Sequence, residues 1–121
     1  MLLAKDKRIE KELAELQVQN ARLNKILQLA SLYCEVEFKK DTTVTCIYRS
    51  PEENTAVGGI PNSPHLNWEA ADLRAVTLTP EQREKLVKTL NNITFRNGKN
   101  TSLCHAVDGG ALHFHIQVAK V

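Results

Sequence analysis

The first 34 residues follow a pattern of alternating four- and three-residue spacings. The positions on it are Leu2, Asp6, Ile9, Leu13, Leu16, Asn20, Leu23, Leu27, Ala30 and Cys34. This seven-residue repeat is typical of a coiled coil, and no glycine or proline interrupts it. Asn20 stands at a core position where asparagine favours pairing with its own copy in a parallel dimer. The pattern predicts a long N-terminal parallel coiled-coil helix over 1–34, with a homodimer interface of Leu2, Ile9, Leu13, Leu16, Asn20, Leu23, Leu27 and Ala30.

Charge and length support the dimer over its main alternative. Lys5 and Glu10 fall at positions that meet across a parallel coiled coil. The alternative is one amphipathic helix that packs on its own domain. Such a helix usually shows a wider apolar stripe than this one. A helix of about 32 residues would also be about 48 Å long, which exceeds what a domain this small would cover.

After residue 34 the pattern becomes that of strands and turns. Residues 34–39 alternate with period two and 43–49 are rich in β-branched and aromatic residues, so a hairpin is predicted. Residues 50–67 contain glycines and prolines, which predict a long loop. Such a loop in a compact domain is usually functional or disordered. Trp68, the only tryptophan, is expected to anchor the end of this loop on the core.

The C-terminal half predicts one helix among strands. Thr79, Pro80 and Gln82 supply a cap, a first-turn proline and a capping box, so a helix is expected over Pro80–Asn91. Further strands are expected at 73–78, 93–96, 102–107 and 111–121. The predicted fold is α+β, with a coiled-coil helix at 1–34 and a head at 35–121 that has a small, mostly antiparallel sheet and one packed helix.

Composition narrows the class of protein further. The net charge is only +2 among 121 residues and no basic run is present, so a nucleic-acid partner is not expected. Neither a membrane-spanning apolar stretch nor a secretory signal is seen. Cys34, Cys46 and Cys104 are an odd number at wide spacings, which favours free thiols in an intracellular setting, nuclear or cytoplasmic.

Three histidines offer a metal-binding alternative. If residues 108–110 form a three-residue loop, His105 faces His113, and His115 lies on the same face of the hairpin. Three imidazoles on one face suit a zinc site with an open position. Alternating histidines are equally typical of the solvated face of a hairpin, and Cys46 and Cys104 are expected to be core residues. Because no catalytic motif is recognised, no enzyme activity, cofactor or metal is assigned.

Two resemblances add to this interpretation. Residues 29–33, the strand at 43–48 and the stretch from Cys104 to Phe114 resemble dimeric kinetochore proteins with RWD-type heads, most closely the monopolin family. That resemblance implies heads that dock other chromosome-segregation proteins and hold no active site. Residues 19–23 are also similar to the zipper of leucine-zipper transcription factors. The preceding basic residues are too few for a DNA-reading region.

The sequence therefore predicts a non-enzymatic homodimeric adaptor or scaffold, with a coiled coil that pairs two heads for docking protein partners. The predicted partner-binding residues are Gly58, Ile60, Trp68, His113 and His115. The alternatives are a metal-binding enzyme or sensor that uses His105, His113 and His115, and the dimerisation part of a leucine-zipper DNA-binding protein.

Overall fold

The N-terminal region folds as two helices that meet at Asn20. In the computed structural model, which describes residues 1–92, 102–105 and 112–118, α1 spans Lys7–Gln19 and α2 spans Ala21–Tyr33. Asn20 has extended φ and ψ angles of −156° and 90°, and its side-chain oxygen accepts a hydrogen bond from the Leu23 N–H. Asparagine is a preferred N-cap because its short side chain satisfies such an N–H. Asn20 thus starts a second helix, and the prediction of one long coiled-coil helix is wrong.

The apolar residues of the predicted seam lie in the core of the chain itself. Ile9, Leu16, Leu23, Leu27, Ala30 and Cys34 are buried there among side chains from the sheet and the C-terminal helix. Two helices of 13 residues each are short enough to lie on a small sheet, which one continuous rod is not. Packing of the N-terminal region on its own domain, the alternative considered above, is the arrangement found. Self-association stays a prediction.

A mixed five-stranded sheet lies against these helices. Its strands are β1 (Leu2–Ala4), β2 (Thr42–Cys46), β3 (Ala70–Arg74), β4 (Ser102–His105) and β5 (His113–Gln117). Their spatial order is β1-β2-β3-β5-β4. β1 pairs with β2 in parallel, and the other neighbours are antiparallel. The class is therefore α+β, as predicted, although the N-terminal residues assigned to a coiled coil contribute a strand to the sheet.

The predicted strand at 34–39 is wrong. Cys34–Phe38 forms a π-helical turn that continues the end of α2, and Lys39 ends it in the left-handed region with a φ of 54°. The Tyr33 and Phe38 rings pack edge to face, with 5.4 Å between centroids. These helical hydrogen bonds and ring contacts outweigh the local alternation of apolar residues. The parallel partner of β2 is consequently β1, which replaces the predicted hairpin.

The predicted loop at 50–67 contains ordered turns. Helix α3 (Pro51–Ala56) begins with a capping box between Ser50 and Glu53, and a 3₁₀ turn covers Pro64–Asn67. Within α3 the Asn54 amide accepts from Arg49 Nη1 at 3.1 Å and donates to the carbonyl oxygen of residue 60 at 2.9 Å. Buried Asn54 therefore holds α3 to the residue before the segment and to the turn that follows the helix.

The C-terminal elements match the sequence pattern more closely. Helix α4 (Pro80–Asn91) begins with the predicted capping box of Thr79 and Gln82. Strand β3 lies earlier than the predicted 73–78, and β4 and β5 fall inside the predicted 102–107 and 111–121. The predicted strand at 93–96 lies outside the described residues.

One core joins the two predicted domains. It contains residues from both sides of position 34, such as Leu23 and Phe114. The division into 1–34 and 35–121 stays a prediction. Within the described ranges, no helix is long and apolar enough to cross a membrane.

An ion pair ties α1 to α3 and predicts a pH dependence. Arg8 Nη2 lies 2.9 Å from Glu53 Oε1, and this guanidinium lowers the pKa of Glu53 from 4.5 to about 2. Since the folded-state pKa is lowered, we expect the stabilisation to be present above pH 4.5 and lost as the pH falls to about 2. Urea unfolding should show a difference between wild type and Glu53→Gln that shrinks between about pH 6 and pH 2.5. The control Glu52→Gln removes a neighbouring charge, and an equal pH dependence there would contradict the assignment.

Candidate metal centre

The sheet separates core side chains from polar ones. Leu73 of β3 and Phe114 of β5 are cross-strand partners and are both buried in the core. Because side chains alternate along a strand, Asp72 and His115, the adjoining pair, point to the opposite face. His113 lies on that face as well, two residues before His115. The ladder between β3 and β5 thus brings one carboxylate next to two imidazoles.

His65 reaches the same place from the 3₁₀ turn before β3. Its side chain is only 2% exposed. Nδ1 lies 2.9 Å from the carbonyl oxygen of Ile47, to which it donates, and Nε2 lies 3.4 Å from Asp72 Oδ1. The Arg49 N–H also donates to the backbone oxygen of His65 at 3.1 Å. The end of β2 therefore fixes both the main chain and the ring of His65.

His115 presents its ring to Asp72 in a matching way. Its Nδ1 lies 3.2 Å from Asp72 Oδ1, and its Nε2 lies 3.3 Å from Gln117 Oε1. The rings of His65 and His115 pack edge to face, with 5.4 Å between centroids. In each ring the nitrogen away from Asp72, called the outer nitrogen, faces a carbonyl oxygen and so carries a proton. The inner nitrogens of both rings are then left to face one carboxylate oxygen.

The electrostatics of the cluster favour a positive charge beside Asp72. Burial would lower the pKa of His65, but its hydrogen bonds with Asp72 and Cys46 outweigh burial and raise that pKa to about 10. Burial alone would raise the pKa of Asp72, yet His115 and His65 hold it well below its ordinary value. In the metal-free protein this positive charge is a proton. A divalent cation bound between the same atoms would take its place.

Cys46 and His113 stand around this group at longer distances. Cys46 Sγ is 3.7 Å from His65 Nδ1, and donor atoms of Cys46, His65 and Asp72 all lie within 4.8 Å of one another. His65 Nδ1, however, donates to Ile47 and so carries a proton, which a ligating nitrogen cannot. His113 Nε2 lies 3.9 Å from Asp72 Oδ1. We therefore assign the inner ligand set to His65 Nε2, Asp72 Oδ1 and His115 Nδ1.

The two distances from Asp72 to these histidines fit zinc. Tetrahedral coordination with Zn–N and Zn–O bonds of about 2.0–2.1 Å places neighbouring ligand atoms about 3.3 Å apart. Asp72 Oδ1 lies 3.4 Å from the nitrogen of His65 and 3.2 Å from that of His115. Both outer nitrogens have the carbonyl partners typical of zinc-binding histidines. Three protein ligands leave a fourth position open, as in catalytic rather than structural zinc sites.

The sequence indicated only part of this centre. His113 and His115 are present in it, and His105 pairs with His113 along β4 and β5 in the predicted register. The side chain of His105 lies outside what the structure describes. His65 and Asp72 were missed. The available signal was a histidine and an aspartate seven residues apart, on either side of the start of a strand.

The predicted partner-binding residues occupy different environments. Gly58 has a φ of 71°, Ile60 is exposed, and the Trp68 ring stacks on Tyr48. His113 and His115 lie at the metal centre described above. The docking of protein partners on these residues stays a prediction.

Comparison with known proteins identifies a family. The family model described as Peptidase M15 matches residues 7–107. This range is well over half of the chain and includes Cys46, His65 and Asp72, and it ends before β5. No curated protein and no solved structure matches the chain.

The family match overturns several predictions made above. The resemblance to kinetochore proteins with RWD-type or monopolin-like heads is wrong, since the matching family is a peptidase family. The same match contradicts the non-enzymatic adaptor, the link to chromosome segregation and the absence of enzyme activity. It favours the metal-binding enzyme, although with His65 and Asp72 in the ligand set. The chain belongs to the Peptidase M15 family.

Proposed function

We propose that the protein is a metal-dependent peptidase whose zinc ion is held by His65 Nε2, Asp72 Oδ1 and His115 Nδ1. The observation that carries this proposal is the convergence of two inner imidazole nitrogens on one carboxylate oxygen, at 3.4 and 3.2 Å. The Peptidase M15 match supports zinc and peptide-bond hydrolysis as the corresponding chemistry.

The surroundings of the ligands keep them in one orientation. The carbonyl of Ile47 holds the outer nitrogen of His65, and the amide oxygen of Gln117 holds that of His115. These bonds keep the inner nitrogens unprotonated when the metal binds. Asp72 contributes the negative charge that balances a bound cation, and burial keeps its carboxylate from being screened by water. The site is therefore organised before a metal enters.

The chemistry of the bound ion explains why an open position matters. Zinc held by three protein ligands acts as a Lewis acid that polarises a peptide carbonyl and lowers the pKa of water. His113, 3.9 Å from Asp72 Oδ1, is placed beside the ligand set where it can contact a substrate.

The free thiols of Cys34 and Cys46 support an intracellular location, nuclear or cytoplasmic, as a further part of this proposal.

Replacing each histidine of β5 in turn tests the ligand assignment. His115→Ala should weaken zinc binding by more than about 100-fold, because it removes a ligand rather than an outer partner whose loss costs 10- to 100-fold. His113→Ala should weaken it by less than about tenfold, because its nitrogen lies farther from Asp72 Oδ1. Competition against a zinc chromophore gives both dissociation constants. A greater loss in His113→Ala would contradict the assignment.

Hydrolysis itself is tested on the whole chain. Wild-type protein loaded with one equivalent of zinc should cleave members of a mixed peptide library, as detected by mass spectrometry. Removal of zinc with a chelator should abolish cleavage, and its return should restore it. Cleavage that persists without metal, or none with zinc bound, would contradict the proposed function.

A further inference from the structure

Trp68 has a backbone conformation that is unusual for a bulky residue. Its φ and ψ angles are 60° and 30°, in the left-handed region. Residues other than glycine seldom adopt this region, and a side chain as large as indole is strained there. Trp68 lies in the short connection between His65 and Asp72, two of the proposed zinc ligands. Such strain persists only where surrounding contacts hold it, and it is often found at functional sites.

One contact that holds Trp68 is the ring of Tyr48, two residues after the end of β2. The indole stacks on Tyr48, with 5.1 Å between ring centroids and 17° between their planes. Tyr48 directly follows Ile47, whose carbonyl accepts the hydrogen bond from His65 Nδ1. The stack therefore joins the connection between the two ligands to the strand end that orients one of them.

A second contact comes from the junction of the two N-terminal helices. Asn20 Nδ2 donates to the backbone oxygen of Trp68 at 3.0 Å, while Asn20 Oδ1 accepts from the Leu23 N–H at 3.1 Å. Asn20 is only 5% exposed, its bond with Leu23 is buried and its bond with Trp68 is partly buried. One side chain thus caps α2 and fixes the peptide group of the strained residue.

We propose that Asn20, Tyr48 and Trp68 form a brace that positions His65 and Asp72 for zinc. The inference rests on the proposed zinc site and adds three positioning residues to it, none of which touches the metal. Asn20 acts through the carbonyl of Trp68, and Tyr48 acts through the indole and the neighbouring carbonyl of Ile47. The brace links the helical layer to the metal face of the sheet, so a change at Asn20 is expected to alter zinc affinity although this residue is remote from the metal.

The Asn20→Asp variant separates capping from bracing. Aspartate keeps the acceptor that caps α2, and it is an equally preferred cap. It has no amide N–H for the Trp68 oxygen. We expect the zinc dissociation constant to rise about tenfold, within the range for lost outer partners of metal ligands. The control Asn24→Asp adds the same charge one turn further along α2 and should leave zinc binding within about twofold.

A second pair of variants keeps the test valid if Asn20→Asp does not fold. Tyr48→Phe retains the stacking ring and should bind zinc as wild type does, whereas Tyr48→Leu retains apolar volume without the ring and should bind about tenfold more weakly. Both retain Trp68, the only tryptophan, whose fluorescence is expected to change on zinc addition in wild type and in Tyr48→Phe. Tyr48→Leu should show a smaller change.

Three outcomes would overturn the inference. Zinc binding at wild-type strength in both Asn20→Asp and Tyr48→Leu would remove the brace and leave the metal site in place. If the loss of zinc binding equals the fraction of unfolded protein measured by circular dichroism, the three residues act on stability alone. Wild-type protein that binds no zinc would overturn the brace and the proposed function together.

Discussion

Replacing Asp72 with asparagine is expected to weaken zinc binding by more than about 100-fold while leaving the chain folded. Asp72 Oδ1 is the atom that the inner nitrogens of His65 and His115 both face. The amide has nearly the shape of the carboxylate but lacks the charge that balances a cation in this buried place. Zinc-dependent hydrolysis should decrease in proportion to the amount of zinc bound. Competition titration measures the affinity, and circular dichroism verifies folding.

Two further variants provide a control and test an alternative ligand set. Asp41→Asn removes an exposed carboxylate that pairs with the N-terminal amine and should leave zinc binding unchanged. Cys46→Ser should weaken binding by less than Asp72→Asn, because the Cys46 thiol lies nearest to the protonated nitrogen of His65. If Cys46→Ser had the larger effect, the ligand set would be Cys46, His65 and Asp72 instead.

Shortening Leu23 to alanine is expected to lower the free energy of unfolding by about 2–5 kcal/mol. Leu23 is 0% exposed in the core, so the change leaves a cavity. Leu32→Ala removes the same atoms from a side chain of α2 that is 55% exposed and should cost less than about 1 kcal/mol. Urea unfolding of the two variants measures the difference.

Protein concentration distinguishes the folded arrangement from a coiled coil. Because Leu23 packs inside its own chain, the unfolding midpoint of both variants should be the same over a hundredfold range of concentration. A midpoint that rises with concentration would show that folding is coupled to association through the predicted seam.

The N-terminal region shows how far a periodic pattern can lead. Most apolar positions of 9–30 are helical as predicted, and Leu16, Leu23 and Leu27 are core residues, whereas Leu2 lies in a strand. The surface that these residues pack against was not correctly predicted, because an apolar stripe has the same form whether it faces a second chain or a sheet. The deciding residue was Asn20, which suits both a coiled-coil core and an N-cap. Its hydrogen bond with the Trp68 carbonyl joins residues 48 apart in the chain and cannot be predicted from spacing.

Helix α4 and strand β5 were predictable for local reasons. A capping box and a first-turn proline are signals carried within four residues, and the alternation of Phe114 and Ile116 is a property of one strand. By contrast, β1 depends on pairing with a strand 40 residues away. The turn at Cys34–Phe38 depends on helical bonds from α2 that overcome its alternating pattern.

The metal centre was only half predictable. His113 and His115 attracted attention because they stand two apart in one strand, where they share a face. Asp72 becomes their neighbour only through the antiparallel pairing of β3 with β5, and His65 only through the fold of segment 47–68. The spacing of His65 and Asp72 is the only local signal among these ligands, so the full set emerges only when the sheet is assembled.

The short parallel strand β1 also protects the sheet from unwanted pairing. It covers one side of β2, with the Thr42 N–H donating to the Met1 oxygen and the Lys5 N–H donating to that of Val44. Without residues 1–5, β2 would present a free edge, and free edges recruit strands from other molecules. Trimming this end should therefore make the protein prone to aggregate even though every zinc ligand remains.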